Sequence, residues 1–362
     1  MLNSPVLSHR SNGLDALRAV FALWVLLAHA LPWAEAVSSG QVPTFLLSFG
    51  AGLGRLFQTR GETHPAVLGF IVLSGYCIHR AGLRSNRTDV QQYSQRRFWR
   101  IAPVYLVAST VGALAVTLAG SISPLGLALA GGGVNGWCMA AKLLGLPAWF
   151  PSLFACSFAG NAPLGTVTAE IGLYTLYPVL LILIGMRMGE RAIWLSVSVV
   201  FLAGVLFVSI RPELGPWWHN GSVVGFLAYW WLGVKLLDPD FAKRLRRFAA
   251  PIILGWLILT LALMTSVWPA ASPLLIEARK LLFCFAIGIA IVALDRAGQR
   301  AGVLSWVGRR GYSLYAFHAP VLYLLLVAGV PWWLAISAAI GLGLLAYRVV
   351  EAPGSAMPTP RH

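Results

Sequence analysis

Apolar residues fall in long runs broken by short polar stretches, and the runs match the roughly 20 residues a helix needs to cross a bilayer core. On that length the chain reads as about ten transmembrane helices, near 14–33, 64–80, 101–120, 166–186, 192–210, 222–237, 249–268, 277–294, 311–330 and 332–350. The second and sixth are the shortest. The segments 44–57 and 122–146 are apolar but interrupted by Gly and Pro, and read as interfacial or re-entrant pieces in outward loops. The expectation is an all-α integral membrane protein, a polytopic bundle forming one domain over 1–362 with short tails at 1–12 and 353–362.

Composition supports the pattern. Charged residues are 11% of the chain and apolar ones 58%, with a mean hydropathy of +0.75. A soluble domain carries roughly 25% charged residues, so too few are present here to cover a water-exposed surface. Many of the 15 Trp lie near the ends of apolar runs, where amphipathic rings sit at a bilayer interface. Four cysteines show no metal-ligand spacing. Cys77 and Cys284 fall in predicted spans as packing residues, whereas Cys138 and Cys156 share one outward loop, either as free thiols or as a disulfide.

The net charge of +15 decides orientation rather than partner. Lys and Arg sit in short segments between apolar runs, with no basic tail and no nucleic-acid module. With the N-terminus inside, 21 of the 27 basic residues face the cytoplasm. That asymmetry predicts cytoplasmic termini and an even number of spans. One rival reading concerns the start: residues 19–31 followed by Ala34-Glu35-Ala36 resemble a secretory leader with a small-x-small cleavage site. Nine further apolar spans already direct the chain to a membrane, which favours retention of the first.

Ionisable residues inside spans are costly and therefore candidates for function. Arg18 and His29 are eleven residues apart in the first span. On a helix this places them within about 20° of one face and about 16 Å apart along the axis. An anion at one and a reacting atom at the other would need a long, thin molecule to join them. An Arg snorkelling to headgroups and a hydrogen-bonded His are the competing readings. In QRRFWRIAP, Arg97 and Arg100 are neighbours on a helix face, placed where a helix starting near 101 would offer free N–H groups to an anion. Glu170 lies near the outer end of the fourth span at about the depth of His29, where it would hold a His tautomer or simply favour a helix start. His318, in GYSLYAFHAPV, is another span histidine, catalytic or satisfied in the core. Ser74-Gly75 either pack helices or leave room for a thin ligand. Glu351 ends the last span, with Arg348 as a local partner. The outward aromatic residues Trp137, Trp149, Phe150, Trp217 and Trp218, with His219, suit a sugar platform or the interfacial belt equally.

Together these segments resemble the acyltransferase-3 family of membrane O-acyltransferases. LDALRAVFALWVLLAH is similar to its first-span motif, FIVLSGYCI to its second-span motif, RRFWR to its Arg-x-x-Arg element, GYSLYAFHAPV to its late-span His motif and VVEAP to its Glu near a Pro. The matches run in order from Leu14 to Pro353. TVTAE departs from the family's Trp-Ser element, with Gly165 where Trp usually stands. The resemblance implies a multi-pass protein of the bacterial cytoplasmic membrane, surrounded by its lipids. It implies acyl-CoA, usually acetyl-CoA, as co-substrate, no permanently bound cofactor or metal, and a hydroxyl of a surface glycan or lipid-linked precursor as acceptor. It also implies His29 as catalytic base and Arg18, Arg97 and Arg100 as holders of the coenzyme phosphates. Ser74 and Gly75 would line the coenzyme's path, with Glu170 and His318 as supporting catalytic groups. The alternative class is a transporter or flippase, since intramembrane His, Glu and Arg also mark substrate pathways.

Overall fold

The computed structural model describes residues 11–57, 63–84, 90–185, 190–264, 273–297 and 302–353. Its regular structure is helical, with no strand among the described residues. Helices α1 (Asn12–Val37), α2 (Thr44–Phe57), α3 (Pro65–Arg84) and α4 (Val90–Ile122) are followed by the short α5 (Pro124–Leu129) and α6 (Gly136–Leu143). Two 3-10 turns, Leu146–Ala148 and Pro151–Phe158, lead to α7 (Leu164–Gly185), α8 (Glu190–Ile210), α9 (Gly215–Asn220) and α10 (Val223–Lys235). Then come α11 (Pro239–Arg247), α12 (Ala249–Met264), α13 (Pro273–Arg296), α14 (Val303–Gly308), α15 (Gly311–Val327) and α16 (Trp332–Ala346), which runs into a π turn, Tyr347–Glu351.

Each of the ten segments read as a span is helical over most of its described residues. Six helices among the described residues are long and apolar enough to cross a membrane: α1, α3, α4, α7, α8, and α16 with its π turn. The pair α11 and α12, bent by 60° at its break, makes a seventh if taken as one span. The remainder fall short for physical reasons. Helix α10 has 13 residues, about 20 Å of rise against a core of about 30 Å, and nearly all of it is buried in protein. Helix α13 is long enough but carries Glu277, Arg279, Lys280, Asp295 and Arg296. The tails predicted at 1–12 and 353–362 lie outside the described residues except for Ser11, Asn12 and Pro353, as do Arg10, Arg60, Arg87, Arg187, Arg300 and Arg361 of the charge count.

The chain divides into two compact units. The first takes Met1–Phe21, Gly54–Thr88 and Leu176–Gly308. Its centre is the crossing of α3 and α10, made by a reciprocal pair of glycines. A Cβ on Gly75 would sit 2.0 Å from the Trp230 carbonyl oxygen, and one on Gly233 would sit 2.0 Å from that of Val72. Small residues allow this backbone approach between membrane helices, and the buried Trp230 and Trp231 fill the space around it. On α8 the stripe Leu195, Val199, Leu202 and Leu206 is 53–67% exposed, an apolar face suited to lipid. Gly75→Ala is expected to destabilise by about 1–3 kcal/mol through overpacking, read as a lower thermal midpoint in detergent. Gly52→Ala serves as control, because nothing lies within 4 Å of its Cβ position. Equal midpoints for the two variants would refute the packing argument.

The second unit takes Ala22–Leu53, Asp89–Thr175 and Arg309–His362. Its core joins Ala115, Val116, Ala119, Ala130 and Tyr323, with Trp33 packed against it. The Tyr323 hydroxyl reaches the carbonyls of Gly112 (3.0 Å) and Gly160 (2.9 Å). Asn161 Nδ2 donates to the carbonyls of Ala108 (3.3 Å) and Ala316 (2.9 Å), tying the stretch before α7 to α4 and α15. Lys142 is buried and donates to the carbonyls of Ala159 and Asn161, each at 2.8 Å. Burial in this connecting segment pulls its pKa down to about 7. Of the two states left open for Cys138 and Cys156, the structure has the disulfide, which staples α6 to the second 3-10 turn. Cys77 and Cys284 are free.

Candidate active site

The second unit brings His29 and His318 together. His29 lies in α1, four residues before Trp33, whose ring is parallel to it within 7° at a centroid distance of 5.0 Å. His318 is fully buried in α15. His29 Nδ1 is 2.9 Å from His318 Nε2, and His318 Nδ1 is 2.7 Å from the backbone oxygen of Tyr315. The two imidazole planes differ by 6° with centroids 5.2 Å apart, so the rings meet edge to edge with the bond in plane.

These contacts fix the protons. A carbonyl oxygen only accepts, so His318 Nδ1 carries a hydrogen and donates to Tyr315. In the neutral ring, Nε2 of His318 is then a bare acceptor. His29 Nδ1 must donate to it, which leaves the lone pair of His29 on Nε2. That nitrogen has no hydrogen-bond partner among the described residues, and His29 is partly exposed. The arrangement is a relay, Tyr315 carbonyl to His318 to His29, that presents one oriented base. Like an orienting carboxylate, His318 fixes the tautomer and the ring orientation of His29, without a carboxylate's negative charge. Tyr315 is itself held, its hydroxyl 2.7 Å from Thr166 Oγ1 and 3.1 Å from the Pro163 carbonyl.

Glu170 lies several residues inside α7 rather than at the helix start, and its carboxylate accepts from the hydroxyl of Tyr174. The group in contact with His29 is His318. Arg97 and Arg100 sit well inside α4, which begins at Val90, so the free N–H groups lie more than a turn before them and the helix-start argument does not apply. Arg97 is instead ordered by aromatic faces, with its guanidinium 5.8 Å from the Tyr93 ring and 5.7 Å from that of Tyr174. Arg100 is partly exposed on the same helix. Glu351 is buried and accepts from Ser313 Oγ at 2.6 Å.

In the first unit, Arg18 forms an ion pair with buried Asp15 one turn earlier and lies 2.9 Å from the Cys77 sulfur. Ser74 Oγ accepts from Trp230 Nε1 at 3.4 Å, and Gly75 faces the Trp230 carbonyl at the helix crossing. This unit also holds a buried cluster that reading the spans passed over. Glu277, 1% exposed, accepts from His219 Nδ1 (2.7 Å), Lys280 Nζ (2.8 Å), Trp218 Nε1 (3.2 Å) and the Tyr229 hydroxyl. Trp218 and His219 are thereby buried and engaged, whereas Trp137, Trp149 and Phe150 are exposed. A second buried group joins Asp295 to Arg80 and to the Tyr76 hydroxyl at 2.6 Å. The signal for both was in the sequence, since a carboxylate inside an apolar helix demands partners.

The fold and the histidine pair define a helical membrane protein with a preoriented base. Residues 11–348 match the acyltransferase-3 family, described as an acyltransferase domain, and the chain belongs to that family. It is a membrane acyltransferase. No curated protein and no solved structure matches the chain.

Proposed function

We propose that this acyltransferase moves an acyl group, acetyl by the family resemblance, from cytoplasmic acyl-CoA to a sugar hydroxyl of a surface glycan or its lipid-linked precursor. The observation that carries the reading is the bare Nε2 of His29, held in one tautomer by His318. His29 Nε2 takes the proton of the acceptor hydroxyl while the oxygen attacks the thioester carbonyl. The imidazolium so formed keeps its Nδ1–H bond to His318. Collapse of the tetrahedral intermediate breaks the carbon–sulfur bond, and the departing thiolate recovers the proton from Nε2. An ester and free coenzyme A result, with no acyl-enzyme required.

In this reading Arg18, Arg97 and Arg100 hold the phosphates. The Asp15 pair and the two tyrosine rings pre-set the first two guanidinium groups. We further propose ten crossings with both termini cytoplasmic, in a bacterial cytoplasmic membrane. The Cys138–Cys156 disulfide supports the outward placement of its loop, because such bonds persist where thiols are oxidised.

The test uses the purified protein in detergent with labelled acetyl-CoA, an oligosaccharide or lipid-linked sugar acceptor and no transmembrane gradient. Release of coenzyme A with label appearing in the acceptor is expected. Intact acetyl-CoA across a panel of hydroxyl acceptors, with gradient-driven uptake of an unmodified substrate in vesicles, would replace this reading with a transporter.

A further inference from the structure

Helix α11 carries Lys243, Arg244, Arg246 and Arg247, all exposed, on nine residues. None of the four has a carboxylate partner among the described residues. Among the described residues, the only bond made by any of their side chains is Arg244 Nε to the Asp240 carbonyl, at 3.4 Å. Asp240, one turn before Lys243 and Arg244, forms no ion pair with either among the described residues, and the other nearby acids are committed elsewhere. Asp238 caps the start of α11 and pairs with Lys235, which also pairs with Glu190. Meanwhile Ala242 and Leu245 are buried, so the helix is docked by its apolar side with its cations turned out.

The next helix gives these cations a context. Helix α12 departs at 60° from α11, and Phe248 at the bend is 56% exposed. Below it Leu254, Ile258 and Leu261 are 57–59% exposed at helical spacing, an apolar strip with no protein covering it. A row of exposed cations therefore caps an open hydrocarbon face. The helix C-terminus favours cations near its carbonyls, but that leaves Lys243 and the exposed strip unexplained. Clustered Lys and Arg on an amphipathic helix attract anionic headgroups.

We propose that α11 and the first turns of α12 form a binding site for an anionic glycerophospholipid of the surrounding leaflet. The phosphate would lie against Lys243, Arg244, Arg246 and Arg247, and an acyl chain would run along Leu254, Ile258 and Leu261. The inference is independent of the acyl-transfer reading.

Native mass spectrometry of the full-length protein tests it. Micelles are loaded with equimolar phosphatidylglycerol and phosphatidylcholine of identical chains. Each cation beside an anionic surface is worth about fivefold in affinity, so phosphatidylglycerol should be retained at least about tenfold over phosphatidylcholine. The quadruple variant K243Q/R244Q/R246Q/R247Q should lose that preference, while K243R/R244K/R246K/R247K keeps most of it. Equal retention of the two lipids by the parent chain overturns the proposal, even if the variants fail to fold. So does an undiminished preference in the Gln variant, or loss of bound phosphatidylglycerol on adding acetyl-CoA, which would assign the cations to the coenzyme.

Discussion

Replacing His29 by Ala is expected to lower acyl transfer by at least about 100-fold while leaving expression and thermal stability near the parent values. General bases are typically worth about 10²–10⁴ in rate, and the lone pair that the variant uncovers, on His318 Nε2, is set back from the position of His29 Nε2 by the missing ring and the 2.9 Å contact to it. The loss should appear in kcat, since Nε2 acts on the acceptor proton in the transition state and not on the coenzyme head. His318→Ala should cost less, because His29 remains but samples both tautomers and loses the bond that steadies its cation. Coenzyme A release by purified variants, matched for folded protein, measures both. A His29→Ala enzyme that keeps more than a tenth of the parent rate would remove the base from the mechanism.

The second large effect concerns stability. Glu277→Ala removes the acceptor shared by His219, Lys280, Trp218 and Tyr229, leaving four buried donors, one of them an uncompensated ammonium. Breaking a buried ion pair from one side typically costs about 3–5 kcal/mol, so the thermal midpoint in detergent should fall by roughly 10 °C. Glu277→Gln keeps the shape and part of the bonding but not the charge opposite Lys280, and should fall between. The Ala variant unfolding within a degree or two of the parent would mean that the cluster is solvated rather than structural.

Much of the architecture was readable because bilayer-length apolar runs have few alternatives. The boundaries were less so. Helix α4 begins eleven residues before the expected 101, since VQQYSQRRFWR is polar yet contains nothing that stops a helix. Apolarity marks where a helix can meet lipid, not where it starts. Helix α10 reads as a span, but burial on almost every side frees it from the length that lipid contact demands. His29 and His318 were each visible as ionisable groups in apolar surroundings, but not their contact, which joins positions 289 residues apart. Depth along the membrane normal suggested Glu170 as the partner. Depth says nothing about which way a helix is turned, and the structure gives Glu170 to Tyr174. Glu277 escaped notice because Arg279 and Lys280 beside it resemble an ordinary outward loop.

The covalent link between Cys138 and Cys156 ties the maturation of this protein to geography. Insertion of the greasy helices needs only the translocation machinery, but closing that ring of chain waits for an oxidant on whichever face it emerges. A polypeptide produced wholly under reducing conditions would reach the bilayer with its helices seated and this staple open. In that state the segment leading into α7 would rest on the buried side chains of Lys142, Asn161 and Tyr323 without its covalent tie, and through it so would the threonine that steadies Tyr315.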